Sequence, residues 1–343
     1  MDEAMKKNEM TTGISYYLLF SSNQNSTTSR ERNEEEENQP LAFWGEDEWT
    51  PQEEAEAETV LQQSRERCSI RSNGVSKRPN DVEDEQAWNR FYSQHQTNFF
   101  KDRHYLHKAF PHEFSSTAEG SSSTKRTLVE IGCGVGNALL PLLESNNDTA
   151  TTTTTTHNSK DVEWTVYGLD LSKVAIDWLQ QDERFIQAAK QGRAHAFVCD
   201  ISASSLPNTS LLPVGVANVS TLLFCLSAIC PGERMIQAVR NVASTLQPNQ
   251  GVLVFRDYGR YDEAQMKLGT SRNKGLEEEN FYRKHDGTKC YYFTLEDVRD
   301  LFETQAGLAI LELKYLRRVY QNRSTNEVRR RVWVQGRFRK VEE

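Results

Sequence analysis

The stretch Thr127-Leu-Val-Glu-Ile-Gly-Cys-Gly-Val-Gly-Asn137 constrains this chain more than any other. An apolar run (Leu128, Val129, Ile131) leads straight into three glycines at alternate positions, Gly132, Gly134 and Gly136. Ala138-Leu-Leu-Pro-Leu-Leu143 then has the apolar density of a helix. A buried strand, a glycine turn and a helix start together make a cofactor cradle, because glycine lets backbone approach a ligand where a Cβ would clash. A dinucleotide site would repeat G-x-G-x-x-G, but Asn137 stands where its last glycine belongs. The spacing G-x-G-x-G behind Glu130 favours an adenosyl ligand without a pyrophosphate, S-adenosylmethionine. A glycine turn of no function has the same outline, so the following segments decide.

Trp164-Thr-Val-Tyr-Gly-Leu-Asp170 reads as a second strand, with Asp170 at its end and Ser172 as a helix N-cap. A carboxylate at this place accepts the two ribose hydroxyls of an adenosyl group. Gly132 and Asp170 lie 38 residues apart, against a usual gap of about 20, and a Thr-rich insertion at 145–161 accounts for the excess. Ala194-His-Ala-Phe-Val-Cys-Asp200 is a third strand ending in an acid, Asp200, placed to bond the adenine amino group. Either aspartate alone could cap a turn. Both together, behind the glycines, point to adenosine.

Residues 214–227 hold a fourth, central strand and its exit loop, 231–245 a helix, and 251–258 a fifth strand ending in Arg256, Asp257 and Tyr258. This alternation predicts a parallel, doubly wound α/β sheet. The tail departs from it: a helix over 294–305 capped by Thr294, then strands over 308–320 and 328–338 joined by a polar turn. The expected fold is a seven-stranded, Rossmann-like methyltransferase sheet closed by an antiparallel C-terminal hairpin. A dinucleotide-type sheet would add another parallel unit instead.

The charge is unevenly spread. The net charge is −8, yet residues 1–80 carry 16 acids against 9 bases, and 314–340 carry ten bases against Glu327 alone. A basic end suits a nucleic-acid partner, and equally suits solvated strand edges. Six cysteines without a C-x-x-C pair argue against zinc and against a disulfide framework. No apolar run reaches membrane-spanning length, and a cytoplasmic protein is the expectation. Residues 1–40 read as disordered, with Thr50-Pro51 starting a short helix near 50–67.

Ala87-Trp-Asn-Arg-Phe-Tyr92 opens the ordered part, with Trp88, Phe91 and Tyr92 on one helical face. They form either a core staple or a lid. Lys101, Arg103 and His104, interleaved with Phe99, Phe100 and Tyr105, form a basic, aromatic cluster of the kind that binds phosphates and stacks bases.

These pieces carry a resemblance. Trp88-Asn-Arg-Phe-Tyr92, Phe99-Phe-Lys-Asp-Arg-His104, Glu130-Ile-Gly-Cys-Gly-Val-Gly-Asn137, Leu226-Ser-Ala-Ile229, Phe255-Arg-Asp-Tyr-Gly259, Glu279-Asn-Phe-Tyr282, Asp286-Gly-Thr288 and Tyr292-Phe-Thr294 resemble the methyltransferase-like family that makes 3-methylcytidine in tRNA. Trp49-Thr-Pro-Gln-Glu53 looks like the leading segment of the branch acting on threonine and arginine tRNAs. The resemblance covers about residues 85–340. It implies that Trp88, Tyr92, Gly132, Asp170, Asp200, Ile201 and Leu223 contact S-adenosylmethionine, joining Gly134 of the glycine turn. It also implies that Lys101–His104 belong to a tRNA-binding module. The expected organisation is an acidic leader (1–80), a helical module that binds tRNA and covers the cofactor (81–124) and a catalytic domain (125–343). An accessory protein for tRNA selection and a nuclear pool are compatible with it. Metal and membrane are not expected.

The chemistry follows from the base. Cytosine N3 has a free lone pair at neutral pH, so alignment matters more than a strong general base. The methylated ring is cationic, and a nearby carboxylate would stabilise it. Asp257 is the candidate, with Arg256 and Tyr258 to orient the base or a phosphate. An internal Arg256–Asp257 salt bridge is the competing reading. N3 lies on the pairing edge, so the base must be unpaired or flipped, which suits position 32 of an anticodon loop. The alternative function is a methyltransferase acting on a small molecule or a protein. The connection 261–292, rich in basic and aromatic residues, is expected to wall the substrate site.

Overall fold

The computed structural model describes residues 49–71, 81–97, 100–114, 125–144, 162–203, 206, 212, 214–270, 276–321 and 328–341. The acidic run before Trp49, Phe99, the Thr-rich insertion and the hairpin turn lie outside the described residues.

Seven strands form one sheet: β1 (Lys125–Ile131), β2 (Glu163–Asp170), β3 (Ala194–Val198), β4 (Val219–Leu223), β5 (Val252–Tyr258), β9 (Leu308–Gln321) and β10 (Val328–Lys340). Their order is β3-β2-β1-β4-β5-β10-β9. The first five run parallel, and β10 pairs antiparallel with both β5 and β9. The expected sheet and terminal hairpin are therefore present. The chain walks outward from β1 to β3 and returns to β4 on the other side of β1. That reversal leaves a crevice at the carboxyl ends of β1 and β4, where ligands bind in open α/β sheets.

Both faces of the parallel strands are covered, which is why they read as unbroken apolar runs. On one face Val129, Ile131, Leu222 and Phe255 pack against Val239 and Val242 of α8 (Glu233–Thr245) and against Phe302. On the other, Leu128, Val166, Val219 and Val254 meet Leu139 and Leu143 of α5 (Leu139–Glu144), Leu179 of α6 (Lys173–Leu179) and Phe185 of α7 (Glu183–Lys190). Leu128, Val129 and Val219 are fully buried, and truncating Leu128 to alanine removes roughly 2–5 kcal/mol.

The helix expected over 294–305 is α-helical only at α10 (Leu295–Arg299), closed by a reciprocal Thr294–Asp297 capping box, and then widens into a π-turn at Asp300–Gln305. The connection after β5 builds α9 (Glu263–Thr270) and a separate antiparallel sheet of three short strands, β6 (Leu276–Glu278), β7 (Phe281–Arg283) and β8 (Lys289–Tyr291).

The N-terminal helix α1 runs Pro51–Arg71, longer than the sequence expects. Its start is a capping box: the Glu53 amide donates to Thr50 Oγ1 at 3.2 Å and the Thr50 amide to Glu53 Oε2 at 2.9 Å. Ala57 and Leu61 are buried, and Leu61 and Ser64 pass beside Gly269 of α9. Glu58 ties the helix down by accepting from Arg260 at 2.6 Å and from the Tyr261 hydroxyl at 3.1 Å. Helix α2 (Asp81–His95) crosses the open end of the crevice, and two single turns, α3 (Leu106–Ala109) and α4 (Pro111–Phe114), lead on toward β1.

Candidate active site

The crevice is walled mainly by the ends of four strands and by helix α2. Cys199, Asp200 and Ile201 come from the exit of β3, Leu169 and Asp170 from β2, Ile131 and Gly132 from β1, Phe224 and Cys225 from β4, and Trp88 and Tyr92 from α2. The space between these walls is about 720 Å³ when the open solvent at its mouth is counted.

The glycine turn explains itself sterically. Gly132 has φ +67° and Gly134 φ +53°, both in the left-handed region. A Cβ at Gly132 would collide with Cys225 Sγ, and one at Gly134 would stand 2.5 Å from the Tyr92 hydroxyl. The Gly134 amide donates to Asp170 Oδ2, and the Ser172 amide donates to Oδ1, each at 2.8 Å. Burial nevertheless pushes the Asp170 carboxyl up to about 6, with these two amides opposing the shift. At neutral pH it is an ionised acceptor at the middle of the crevice.

Asp200 is half-buried at the β3 end. Its Oδ1 accepts from the Ser202 amide at 2.9 Å and hydroxyl at 2.6 Å, and Arg234 reaches its Oδ2 at 3.2 Å. Arg234 also lines the crevice, and nothing in its helical sequence context marks it. Leu223 is buried, the last residue of β4. The next residue, Phe224, forms the wall in its place with φ +57°. A strained non-glycine residue of this kind costs on the order of 1–3 kcal/mol and clusters at functional sites.

Helix α2 is tied down at two points. Asn89 Oδ1 accepts from the Ser172 hydroxyl at 2.7 Å, at the start of α6. Asp84, on the crevice wall, pairs at 2.7 Å with Lys289 of β8, whose side chain is 2% exposed. Trp88, Phe91 and Tyr92 pack as an aromatic cluster with Phe100. This face packs as a core staple, and Trp88 and Tyr92 of it also line the crevice.

The basic cluster is divided. Lys101 and His104 are exposed, while Asp102 and Arg103 turn inward. Asn137, at the position that breaks the dinucleotide spacing, donates through Nδ2 to Phe100 O and Asp102 Oδ1, each at 3.1 Å. The Arg103 amide donates back to Asn137 O at 2.6 Å. The arginine side chain reaches Leu223 O at 3.4 Å and lies 5.4 Å from the centre of the Phe224 ring. Arg103 thus lies half-buried beside the end of β4, apart from the exposed Lys101 and His104 with which the sequence groups it.

The β5 residues also separate, since neighbours on a strand face opposite sides. Asp257 is fully buried beneath the loop that follows β4. Its Oδ2 accepts from the Ser227 amide at 2.9 Å and its Oδ1 from the Tyr258 amide at 2.9 Å. Burial raises its carboxyl to about 6. Tyr258 is half-buried and stacks obliquely on Phe224 at 5.2 Å, with Lys284 Nζ 5.7 Å from its ring centre. Arg256 corrects the sequence expectation. It is 2% exposed, held by Gln335 at β10 and enclosed by the rings of Tyr105, Phe110 and Trp333. It neither faces the crevice nor pairs with Asp257, because its side of the strand is roofed by the α3–α4 segment. Its guanidinium organises packing between that segment and the hairpin.

Glu130 and Thr221 face each other across β1 and β4. Glu130 Oε2 and Thr221 Oγ1 have no hydrogen-bond partner among the described residues. Burial lifts the Glu130 carboxyl to about 8, partly offset by Arg103. Among the described residues no group of three or more His, Cys, Asp or Glu could hold a metal ion, and no helix is long and apolar enough to cross a membrane.

The crevice fits S-adenosylmethionine on its own geometry: an ionised acceptor at β2, a second acid at β3, a backbone turn that no side chain could replace, and an aromatic lid. A family model for a methyltransferase domain matches residues 93–313. The tRNA N(3)-cytidine methyltransferase METTL2 of Danio rerio is 34% identical, over 87% of this chain and 84% of its own. The tRNA N(3)-methylcytidine methyltransferase Mettl2 of Drosophila melanogaster is 32% identical, over 87% and 83%. The tRNA N(3)-methylcytidine methyltransferase trm141 of Schizosaccharomyces pombe is 34% identical, over 76% and 93%. With its methyltransferase domain and its likeness to these three relatives over most of their length, the chain belongs to the tRNA N(3)-cytidine methyltransferase family.

Proposed function

We propose that this protein transfers a methyl group from S-adenosylmethionine to N3 of a cytidine in tRNA, at position 32 of the anticodon loop. The observation that carries the reading is the crevice itself. Its acids stand at the ends of β2 and β3 and its lid closes over β1, in a chain whose relatives bear that activity in their names.

S-adenosylmethionine supplies an electrophilic methyl on a sulfonium sulfur, and attack by the N3 lone pair forms the N–C bond, breaks the S–C bond and moves the positive charge onto the base. The remaining work belongs to the protein. Asp170 accepts from the ribose hydroxyls. Asp200 takes the adenine amino group, with Ile201 against the ring. Gly132 and Gly134 let the backbone come close, and Trp88 and Tyr92 exclude water from above. Leu223 offers its carbonyl at the β4 edge. Phe224 and Tyr258, an oblique ring pair beside the crevice, orient the flipped base. Asp257 lies directly behind their loop. Its negative charge stabilises the cation that forms on the ring, acting at a distance in a water-poor setting where charges count for more than in bulk solvent. Exposed Lys101 and His104 hold phosphates. A small-molecule substrate would need neither of them.

Flipping a base out of a stack costs a few kcal/mol, least where it is already unpaired. Two anticodon stem-loop transcripts, one with cytidine and one with uridine at position 32, test the placement. Methylation of the first alone is expected, and equal methylation of both would reject it.

A further inference from the structure

We infer that Asn137 is a positioning residue for tRNA: it clips residues 100–103 to the exit of the glycine turn and so fixes Lys101 and His104 for the substrate's phosphates, an assignment that rests on the tRNA reading above. Residues 100–103 belong to no helix or strand, so bonds to neighbouring elements must hold them. Asn137 makes three such bonds. Its Nδ2 donates to Phe100 O and to Asp102 Oδ1, and its own carbonyl accepts from the Arg103 amide. A side-chain amide has two N–H donors, and both are used on this segment. Asn137 is 9% exposed and does not stand among the residues that wall the crevice. Its side chain therefore serves the segment and not the adenosyl group. A glycine there, as a dinucleotide turn would have, could make only the carbonyl bond.

The segment is gripped from a second side. Asp102 Oδ2 pairs with Arg184 of α7 at 2.8 Å, and Arg184 is itself anchored by Glu144 at 2.6 Å and Asp182 at 2.8 Å. The Asp102 carboxylate is thus shared between the turn and a helix, one oxygen to each. With positions 100, 102 and 103 drawn inward, Lys101 and His104 are left exposed on either side of the clipped pair. A segment held in this way is already ordered when RNA arrives, so its ordering cost is not charged to binding.

The test uses the full-length protein, with filter binding for tRNA lacking 3-methylcytidine and titration calorimetry for S-adenosylhomocysteine. Asn137→Asp keeps the shape, removes both donors and sets a second carboxylate against Asp102. It should weaken tRNA about tenfold, the size of one or two lost hydrogen bonds, and leave S-adenosylhomocysteine within about twofold, which also reports an intact turn. In turnover the loss should appear in KM for tRNA and not in kcat. Exchanging the pair, Asn137→Asp with Asp102→Asn, restores a donor facing an acceptor and should recover part of the affinity. In a Lys101→Ala, His104→Ala background Asn137→Asp should cost almost nothing more, because the clip acts through those two side chains. Full additivity in that background would overturn the assignment, as would unchanged tRNA affinity in Asn137→Asp. Parallel losses of S-adenosylhomocysteine and tRNA would make Asn137 a support of the cofactor turn and overturn it too. Wild-type protein without affinity for tRNA would instead sink the tRNA reading itself.

Discussion

The Tyr92 hydroxyl occupies the space that a side chain at Gly134 would need, 2.5 Å from where its Cβ would stand. The lid and the glycine turn are therefore fitted to each other, although one lies on a helix and the other between a strand and a helix. Gly134→Ala should strain a backbone at φ +53° and push the lid ring outward. Cofactor affinity is expected to drop at least about tenfold, which is roughly 1.4 kcal/mol. Adding Tyr92→Phe should restore part of it, by removing the clashing oxygen while leaving the backbone strain. Calorimetry on the single and double variants measures the coupling. Purely additive losses would mean that the two residues do not meet.

A second fitted pair joins the lid to the small sheet. Lys289 is almost entirely enclosed and its partner Asp84 nearly so. Removing one member of a buried pair leaves the other charge stranded, at a cost of roughly 3–5 kcal/mol. Lys289→Met should lower stability by about that much in urea unfolding and weaken cofactor binding, since Asp84 lines the crevice. The double variant Asp84→Asn with Lys289→Met should recover most of the stability. An unchanged unfolding midpoint in Lys289→Met would contradict the pairing.

Acid should slow the reaction through Asp257. Its carboxyl is raised by burial to about 6, so protonation below that pH removes the negative charge behind the base. At saturating cofactor, kcat should fall as pH drops through about 6. Asp257→Asn should lose that limb and run roughly 10- to 100-fold slower above it. Saturation matters because Asp170 titrates in the same range and would enter through KM for the cofactor. The sign for stability is the reverse. A folded-state pKa above the unfolded value contributes stability that is full below about 4 and lost as pH rises through about 6. An Asp257→Asn profile that keeps the limb near pH 6 would remove the residue from catalysis.

Much of this site is legible in the sequence, because parallel strands buried on both faces announce themselves as apolar runs and their ends carry the acids. Gly132, Asp170 and Asp200 stand out in that way. The three-stranded sheet does not, since three-residue strands are too short to show alternation. Helix α1 docks through Ala57, Leu61 and Ser64, small or isolated residues that leave only a weak apolar stripe. Arg256 and Asp257 sit side by side in the chain yet on opposite faces of β5. The run Phe-Arg-Asp-Tyr does not say which face is roofed by Tyr105 and Phe110. The lid fastening Asp84–Lys289 joins distant segments, and no local pattern encodes it. The tie from Asn137 to Asp102 could be suspected only from the broken glycine spacing.

The divided basic cluster gives separable effects. Lys101→Ala with His104→Ala should weaken tRNA binding. The slope of log affinity against log salt should flatten by about one for each phosphate that is no longer neutralised. Cofactor affinity should stay within about twofold. Filter binding across a salt range of roughly 50 to 200 mM would show it. A parallel fall in cofactor affinity would mean that the exposed pair supports the crevice after all.

The central claim is the transfer of a methyl group to cytosine N3 in tRNA, and nucleoside mass spectrometry reads it directly. The purified protein is incubated with S-adenosylmethionine and tRNA lacking 3-methylcytidine, and the RNA is digested to nucleosides. The expected product is 3-methylcytidine, increasing with enzyme and disappearing with Asp170→Ala. Bound cofactor without any 3-methylcytidine, or methyl groups appearing on another nucleoside, would contradict it.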